Sequence, residues 1–302
     1  MTEPLDSIRA LVQAAEQSGE PISAVVLRRQ AAELECSEET LYHEMLRNYQ
    51  VMQRSVADGS KPGVQSASGL TGGEAARMQA YCGAGRTLGG PMFAALLQRA
   101  LAVSCCNAAM GCIVAAPTAG SCGILPAVVL TAAEFHGYAE KDCVMSLFTA
   151  AAVGMVIART ASIAGATGGC QAECGSASAM AAAALVELAG GTPAQCADAV
   201  ALSLKSQLGL VCDPVAGLVE IPCIKRNATG AVNALACAEL ALAGVGSAIP
   251  ADETIAAMKQ VGNMMSPALK ETAQAGLAAT PTALRLARQV HGRRGDAEES
   301  GD

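Results

Sequence analysis

Aromatic side chains are nearly missing from this chain. It has no tryptophan, and only three phenylalanines and four tyrosines in 302 residues. At 52% apolar but 2% aromatic, there is ample material for a core, but it must be built from Ala, Leu, Val and Gly, which let helices approach closely. Histidine is scarce as well. His43, His136 and His291 are the whole supply, so proton transfer near neutral pH has few candidates. Basic residues form no long stripe and the net charge is −7, which argues against a nucleic-acid or anionic-membrane surface. The segment Met1–Asp6 carries acid where a signal peptide needs base, and no apolar run follows it. A cytoplasmic chain with reduced thiols is therefore expected. Neither strand alternation, strand–helix alternation nor a solenoid repeat is present. The expected fold is all-α, a single large helical domain with buried Ala/Gly-rich helices and an N-terminal helical extension.

That extension spans residues 1–57. Ile8, Leu11, Val12 and Ala15 recur at helical spacing, and Gly19-Glu20-Pro21 ends the run. Ser23 and Ser37 read as N-caps of the next two helices. In the third, Tyr42, Met45, Leu46, Tyr49 and Met52 share a face, with His43 beside it at the surface. Residues 58–73 form a glycine/serine-rich loop. It is either a linker or a nest whose N–H groups, with the Ser68 and Thr71 hydroxyls, hold a carboxylate.

Residues 74–302 form the body. No charge occurs from Ala100 to Ala133, but Pro117, Gly120, Gly123 and Pro126 cut this run into pieces shorter than the ~20 residues a membrane span needs. A buried helix pair joined by a polar turn fits better. That turn, Pro117–Gly123, brings the Thr118 and Ser121 hydroxyls and free N–H groups around Gly120 to a helix start, as a plain tight turn or as an anion site. Further on, Thr192, Pro193 and Gln195 form a capping-box start. Helices are also expected over Met180–Leu188, Asn227–Leu242 and Ala251–Met265, with a last one from Pro281 fading into a charged tail.

Cysteine is abundant, thirteen in all, and most of these residues must simply pack. Cys36, Cys105, Cys106, Cys143, Cys196 and Cys237 lie in apolar, helix-like runs and read as core. Cys170, Cys174, Cys212 and Cys223 are set among Gly168, Gly169, Gly175, Pro214 and Pro222, residues that break regular structure. Thiols gathered from distant turns suit a metal centre better than a catalytic pair. The local chemistry alone leaves ligation and packing equally open. The spacing is neither that of a zinc ribbon nor that of a compact ferredoxin run.

Five stretches narrow the choice: Ser68-Gly69-Leu70-Thr71-Gly72-Gly73, Ala116-Pro117-Thr118-Ala119-Gly120-Ser121-Cys122-Gly123, Gly168-Gly169-Cys170-Gln171-Ala172-Glu173, Cys212-Asp213-Pro214 through Ile221-Pro222-Cys223-Ile224-Lys225-Arg226-Asn227, and Gly276-Leu277-Ala278-Ala279-Thr280-Pro281-Thr282. In this order and over nearly the whole chain they resemble the alpha chain of iron-sulfur L-serine dehydratase. The resemblance implies conversion of L-serine to pyruvate and ammonia, through loss of a Cα proton and of the β-hydroxyl. It implies a [4Fe-4S] cluster held by Cys170, Cys212 and Cys223, whose open iron serves as Lewis acid on the hydroxyl. Cys174 falls on a position that the family pattern leaves free, and Cys122 is a weaker candidate for the pocket wall. Substrate contacts are expected from Ser68, Thr71, Thr118, Gly120, Ser121 and Arg226. Lys225 and Arg226 could equally form structural ion pairs.

The catalytic base is not evident. The three histidines lie outside these motifs, and single-chain relatives carry, ahead of an alpha-like part, a domain with a Ser-Ser-His-Thr motif that is not found here. A separate beta subunit is the expected partner, in an oligomer, with Glu173 as the alternative base within this chain. Some single-chain relatives also end in a cysteine able to reach the cluster, whereas this sequence ends Glu299-Ser300-Gly301-Asp302 and its last cysteine is Cys237. Pyridoxal phosphate is not expected, since none of the six lysines sits in an obvious phosphate cup. Two other readings stay open: a related lyase acting on L-cysteine or a hydroxy acid, and a non-catalytic helical metal-binding protein.

Overall fold

The computed structural model describes residues 5–299. Thirteen α-helices make up its described part: α1 (Ile8–Ser18), α2 (Ile22–Glu33), α3 (Glu38–Gly59), α4 (Glu74–Gly83), α5 (Gly90–Ala108), α6 (Ile124–His136), α7 (Glu140–Thr160), α8 (Gly165–Gly168), α9 (Ser176–Leu188), α10 (Pro193–Lys205), α11 (Cys223–Leu242), α12 (Ala251–Met264) and α13 (Pro281–Glu299). Among the described residues there is no strand, only the isolated bridges Gln65–Gly72 and Cys212–Lys270. The fold is all-α, as the composition and periodicity predict.

Helix α9 is the axis of the core. Its Ala177, Ala179, Ala181, Ala182, Ala183, Ala184 and Val186 are fully buried, and α6, α7, α10 and α11 pack around it. Short side chains on every face allow this, because backbones can close to contact without leaving voids. Gly154 of α7 shows how tight the fit is: a Cβ there would sit 2.9 Å from the Met180 sulfur. Asn233 of α11 ties the layer together by donating to Ser178 of α9 at 2.9 Å and to the Ser203 hydroxyl of α10 at 3.0 Å.

The three N-terminal helices lie against this body. α1 packs on α10, α2 on α7 and α3 on α5. Their Ile8, Leu11, Val26 and Met52 join the same continuous core as α9. Burying a Leu or Ile side chain contributes about 1.5–3 kcal/mol, so these helices are held by their apolar faces. Ser7, Ser37 and Thr192 cap α1, α3 and α10, and Thr192 and Gln195 complete the capping box. Ser23 is not a cap. α2 starts two residues earlier, at Ile22 behind Pro21, and the Ser23 N–H donates to the half-buried Glu187 of α9 at 3.2 Å, so an acceptor from across the core does the capping. Cys36 lies in the turn between α2 and α3 and is half-buried, whereas Cys105, Cys106, Cys143, Cys196 and Cys237 are buried in helices as expected.

The segments Ala119–His136 and Glu140–Thr160 are long and apolar enough to cross a membrane, but 72% and 67% of them is buried inside the fold. They are core elements here.

Candidate functional site

Cys170, Cys212 and Cys223 arrive from three different elements. Cys170 follows Gly169, whose φ of +79° and crowded Cβ direction, 2.9 Å from the Leu210 carbonyl, suit only glycine. It opens onto a π-helical turn, Gln171–Gly175, that runs straight into α9. Such turns are frequent at functional sites. Gly175 therefore does not break the chain, since its helical φ/ψ carries the turn into α9. Gln171 fixes the turn: its side chain donates to the Gly168 and Met258 carbonyls at 2.9 and 3.0 Å and accepts from Gly209 N–H at 2.9 Å. Cys212 lies in an extended segment pinned on both sides, its N–H on the Leu269 carbonyl at 2.9 Å and its carbonyl accepting from Glu271 N–H at 2.7 Å. Cys223 is the first residue of α11, four residues before the predicted start of that helix.

All three cysteines are buried, and Cys212 feels both of the others. Burial pushes the Cys212 thiol up, and the neighbouring Glu173, Cys170 and Cys223 add to it. The Cys223 thiol is raised to about 12 by burial, followed by the charges of Cys170 and Glu173. Cys170 moves the other way. The Cys170 and Cys174 sulfurs are hydrogen-bonded at 3.4 Å, and this contact, with the Arg226 guanidinium beside it, pulls the Cys170 thiol down. Two buried thiols pushed toward the protonated form and a third, Cys170, pushed toward the thiolate beside a cation are a donor set that a metal centre would deprotonate fully. Among the described residues no three His, Cys, Asp or Glu side chains converge tightly enough for a single ion. Thiolates are the side chains that hold an iron-sulfur cluster, so this donor type suits such a group.

The polar turn closes over the same place. Asn227 of α11 donates to the Gly120 carbonyl at 2.7 Å and to the Cys223 carbonyl at 2.9 Å, and its side-chain oxygen accepts from Gly123 N–H at 2.8 Å. The Thr118 and Ser121 hydroxyls are 3.1 Å apart; Ser121 is fully buried, and Thr118 also bonds Glu173. The Glu173 carboxylate lies against Gly120, with its oxygens 3.2 and 3.3 Å from where a Cβ on that glycine would be. Cys122 is buried at the start of α6, and burial raises its thiol to about 12.

Arg226 reaches inward. It pairs with the buried Asp213 at 2.9 Å and donates to the Val211 carbonyl at 2.8 Å. Its other side borders a cavity of about 470 Å³, lined also by Gln207, Thr229 and Asn233. Asp213 in turn accepts from Leu277 N–H at 2.7 Å, which brings the Gly276–Thr282 stretch onto the cysteine segment. Lys225 pairs outside with Glu74 at 2.8 Å. The glycine/serine-rich loop joins through Thr71, whose hydroxyl donates to the buried Glu220 at 2.7 Å. Ser68 accepts from Leu70 N–H at 3.0 Å and faces α13 across a small cavity of about 90 Å³. The structure thus gathers Thr118, Gly120, Ser121 and Arg226 about the thiols, ties Thr71 to the segment leading to Cys223, and leaves Ser68 against α13. Gln171, Asp213, Asn227 and Glu220 escaped the sequence reading, although each stands inside or beside a quoted motif. His43, His136 and His291 are all exposed.

The sequence matches the profile of the family described as "Serine dehydratase alpha chain" over residues 17–278. It is 48% identical over 286 residues to a protein of Bacillus subtilis named "Probable L-serine dehydratase, alpha chain", covering 95% of both chains. It is 41% identical over 284 residues to the "L-serine dehydratase, alpha chain" of Peptoniphilus asaccharolyticus, covering 94% of this chain and 97% of that one. A "L-serine dehydratase" of Streptomyces coelicolor is 41% identical over 276 residues, which span 89% of this chain but 59% of that longer protein.

Proposed function

The chain belongs to the serine dehydratase alpha chain family, and from that premise we propose that it is the alpha subunit of an enzyme converting L-serine to pyruvate and ammonia, with a [4Fe-4S] cluster held by Cys170, Cys212 and Cys223. The observation that carries the proposal is the meeting of these three buried thiols, from the ends of separate elements, beside Glu173 and the Thr118 turn.

When bound, the cluster would supply an iron free of protein thiolate as a Lewis acid toward the β-hydroxyl. The rest falls to side chains. Arg226, fixed by Asp213, offsets negative charge next to Cys170. Asn227 locks the Thr118–Ser121 turn onto the start of α11, so hydroxyls and backbone N–H groups are held still for the substrate carboxylate. Burial of the thiols under α9 and α11 keeps water away from them.

The base that takes the Cα proton belongs to a beta subunit in this reading. A histidine is the usual choice, and His43, His136 and His291 are all on the outer surface. Two of the relatives carry the words "alpha chain" in their names, and the Streptomyces relative extends well beyond the matched part.

Reconstitution tests the proposal. Chain loaded with iron and sulfide under anaerobic conditions is mixed with a beta chain and assayed for pyruvate from L-serine, L-cysteine and hydroxy acids. Turnover of L-serine only with both chains present is expected. Full turnover by the isolated chain would place the base here, and turnover of another substrate in place of L-serine would overturn the assignment.

A further inference from the structure

A half-buried carboxylate without a cation is costly, and Glu173 is one. None of the ion pairs among the described residues includes it. Space has been cleared around it instead. A Cβ on Gly120 would stand 3.2 Å from one carboxylate oxygen, and a Cβ on Gly165 would stand 3.0 Å from the same oxygen. That Gly165 position would also be 2.9 Å from the Cys212 sulfur. Two glycines from separate elements therefore leave Glu173 free of side-chain crowding where it approaches one of the proposed cluster ligands. The Thr118 hydroxyl and the Gly165 backbone N–H are its hydrogen-bond donors, and Glu271 adds a second negative charge nearby. With two hydrogen-bond donors but no ion pair among the described residues, the carboxylate has room for a cationic neighbour.

An amino-acid substrate brings such a neighbour. L-serine carries an ammonium on the carbon next to the one bearing the hydroxyl. If the hydroxyl is at the thiol cluster and the carboxylate at the Thr118–Ser121 turn, the ammonium needs an acceptor between them. Glu173 stands between Cys212 and Gly120. Resting on the function proposed above, we infer that Glu173 receives the α-ammonium of the substrate and thereby selects amino acids over hydroxy acids. It is a binding and specificity residue rather than the base.

The test uses the reconstituted two-chain enzyme, wild type and Glu173→Gln, with two ligands: L-serine and 3-hydroxypropanoate, which is serine without its amino group. Equilibrium binding by calorimetry gives the preference between them, independent of turnover, and iron content is measured in parallel. A charge-assisted hydrogen bond contributes enough for roughly a 10-fold to 100-fold preference. The expected result is unchanged iron content and a fall of about 10-fold or more in the preference for L-serine, with KM for serine rising more than kcat falls and Glu173→Asp recovering part of the loss. A preference that falls less than this, a collapse of kcat at constant KM, or loss of iron from the Gln variant would each overturn the inference. A wild type that binds L-serine selectively but never releases pyruvate would overturn the proposed function and leave this inference standing.

Discussion

The side chain of Asn227 donates to the Gly120 carbonyl at 2.7 Å and so joins the first turn of α11 to the polar turn ahead of α6. Its second amide N–H and its oxygen are also engaged: the Cys223 carbonyl at 2.9 Å and Gly123 N–H at 2.8 Å complete the bracket. Asn227 is 1% exposed, so no water can replace what it does.

Replacing Asn227 by Ala strands a buried N–H and two buried carbonyls. The cost expected is about 2–4 kcal/mol of unfolding free energy, read from denaturant titration. Asn227→Asp should fare little better, because a carboxylate cannot donate to the Gly120 carbonyl. A loss below about 1 kcal/mol for the Ala variant would mean that the two turns hold each other without it.

Asp213 and Arg226 form a buried pair whose side chains are 3% and 16% exposed. Breaking such a pair from one side leaves an unmatched charge and costs about 3–5 kcal/mol. Asp213→Ala should show that loss, aggravated because Leu277 N–H also loses its acceptor. The double variant Asp213→Ala with Arg226→Met should be less damaged than the sum of the singles. Additive losses in that cycle would refute the coupling.

Close packing makes α3 sensitive at Gly59. A Cβ there would run into the Ala102 carbonyl of α5, so Gly59→Ala is expected to destabilise by about 1–3 kcal/mol through overpacking. Gly83, at the end of α4, has open space around its Cβ direction and no positive φ. Gly83→Ala should be neutral, or stabilising by up to about 1 kcal/mol. Equal effects on the melting temperature would contradict the packing described for α3 and α5.

Glu187 gives the fold a pH dependence. Burial raises its carboxyl above the ordinary value, against hydrogen bonds from Ser23 and Thr149 that lower it. A folded-state value above the unfolded one means that its stabilising contribution is complete at acid pH. That contribution is lost as pH rises through the folded value. Glu187→Gln keeps an acceptor for the Ser23 N–H and removes the charge. Its melting temperature relative to wild type should therefore improve between pH 5 and pH 7.5. A difference independent of pH would rule this out.

Much of this architecture could be read in the chain before folding. The scarcity of aromatics and the runs of alanine foretold a core of closely packed helices, and α9 is one. Thr192 with Gln195 announced α10 through local hydrogen-bond chemistry alone. Ser23 misled because its cap acceptor is Glu187, 164 residues away, which no local pattern encodes. The start of α11 was set four residues late because Pro222 and Cys223 read as a turn. Proline fits just ahead of a helix, so the helix begins at Cys223 itself. At the site, the turn-breaking glycines and prolines marked the cysteine segments. The brackets that join those segments, Gln171, Asn227 and Asp213, work through contacts remote in sequence, and their polar type in a short motif was the only available signal.

The central claim is that three thiols hold one cluster, and iron content tests it most directly. Wild-type chain and the variants Cys170→Ser, Cys212→Ser, Cys223→Ser and Cys196→Ser are prepared without oxygen, and iron and sulfide are measured per folded chain. About four irons are expected in wild type, as one cubane requires. The same content is expected in Cys196→Ser, whose sulfur is buried in α10, and none or nearly none in the other three. Full iron content in Cys212→Ser, or none in the wild type, would contradict the account.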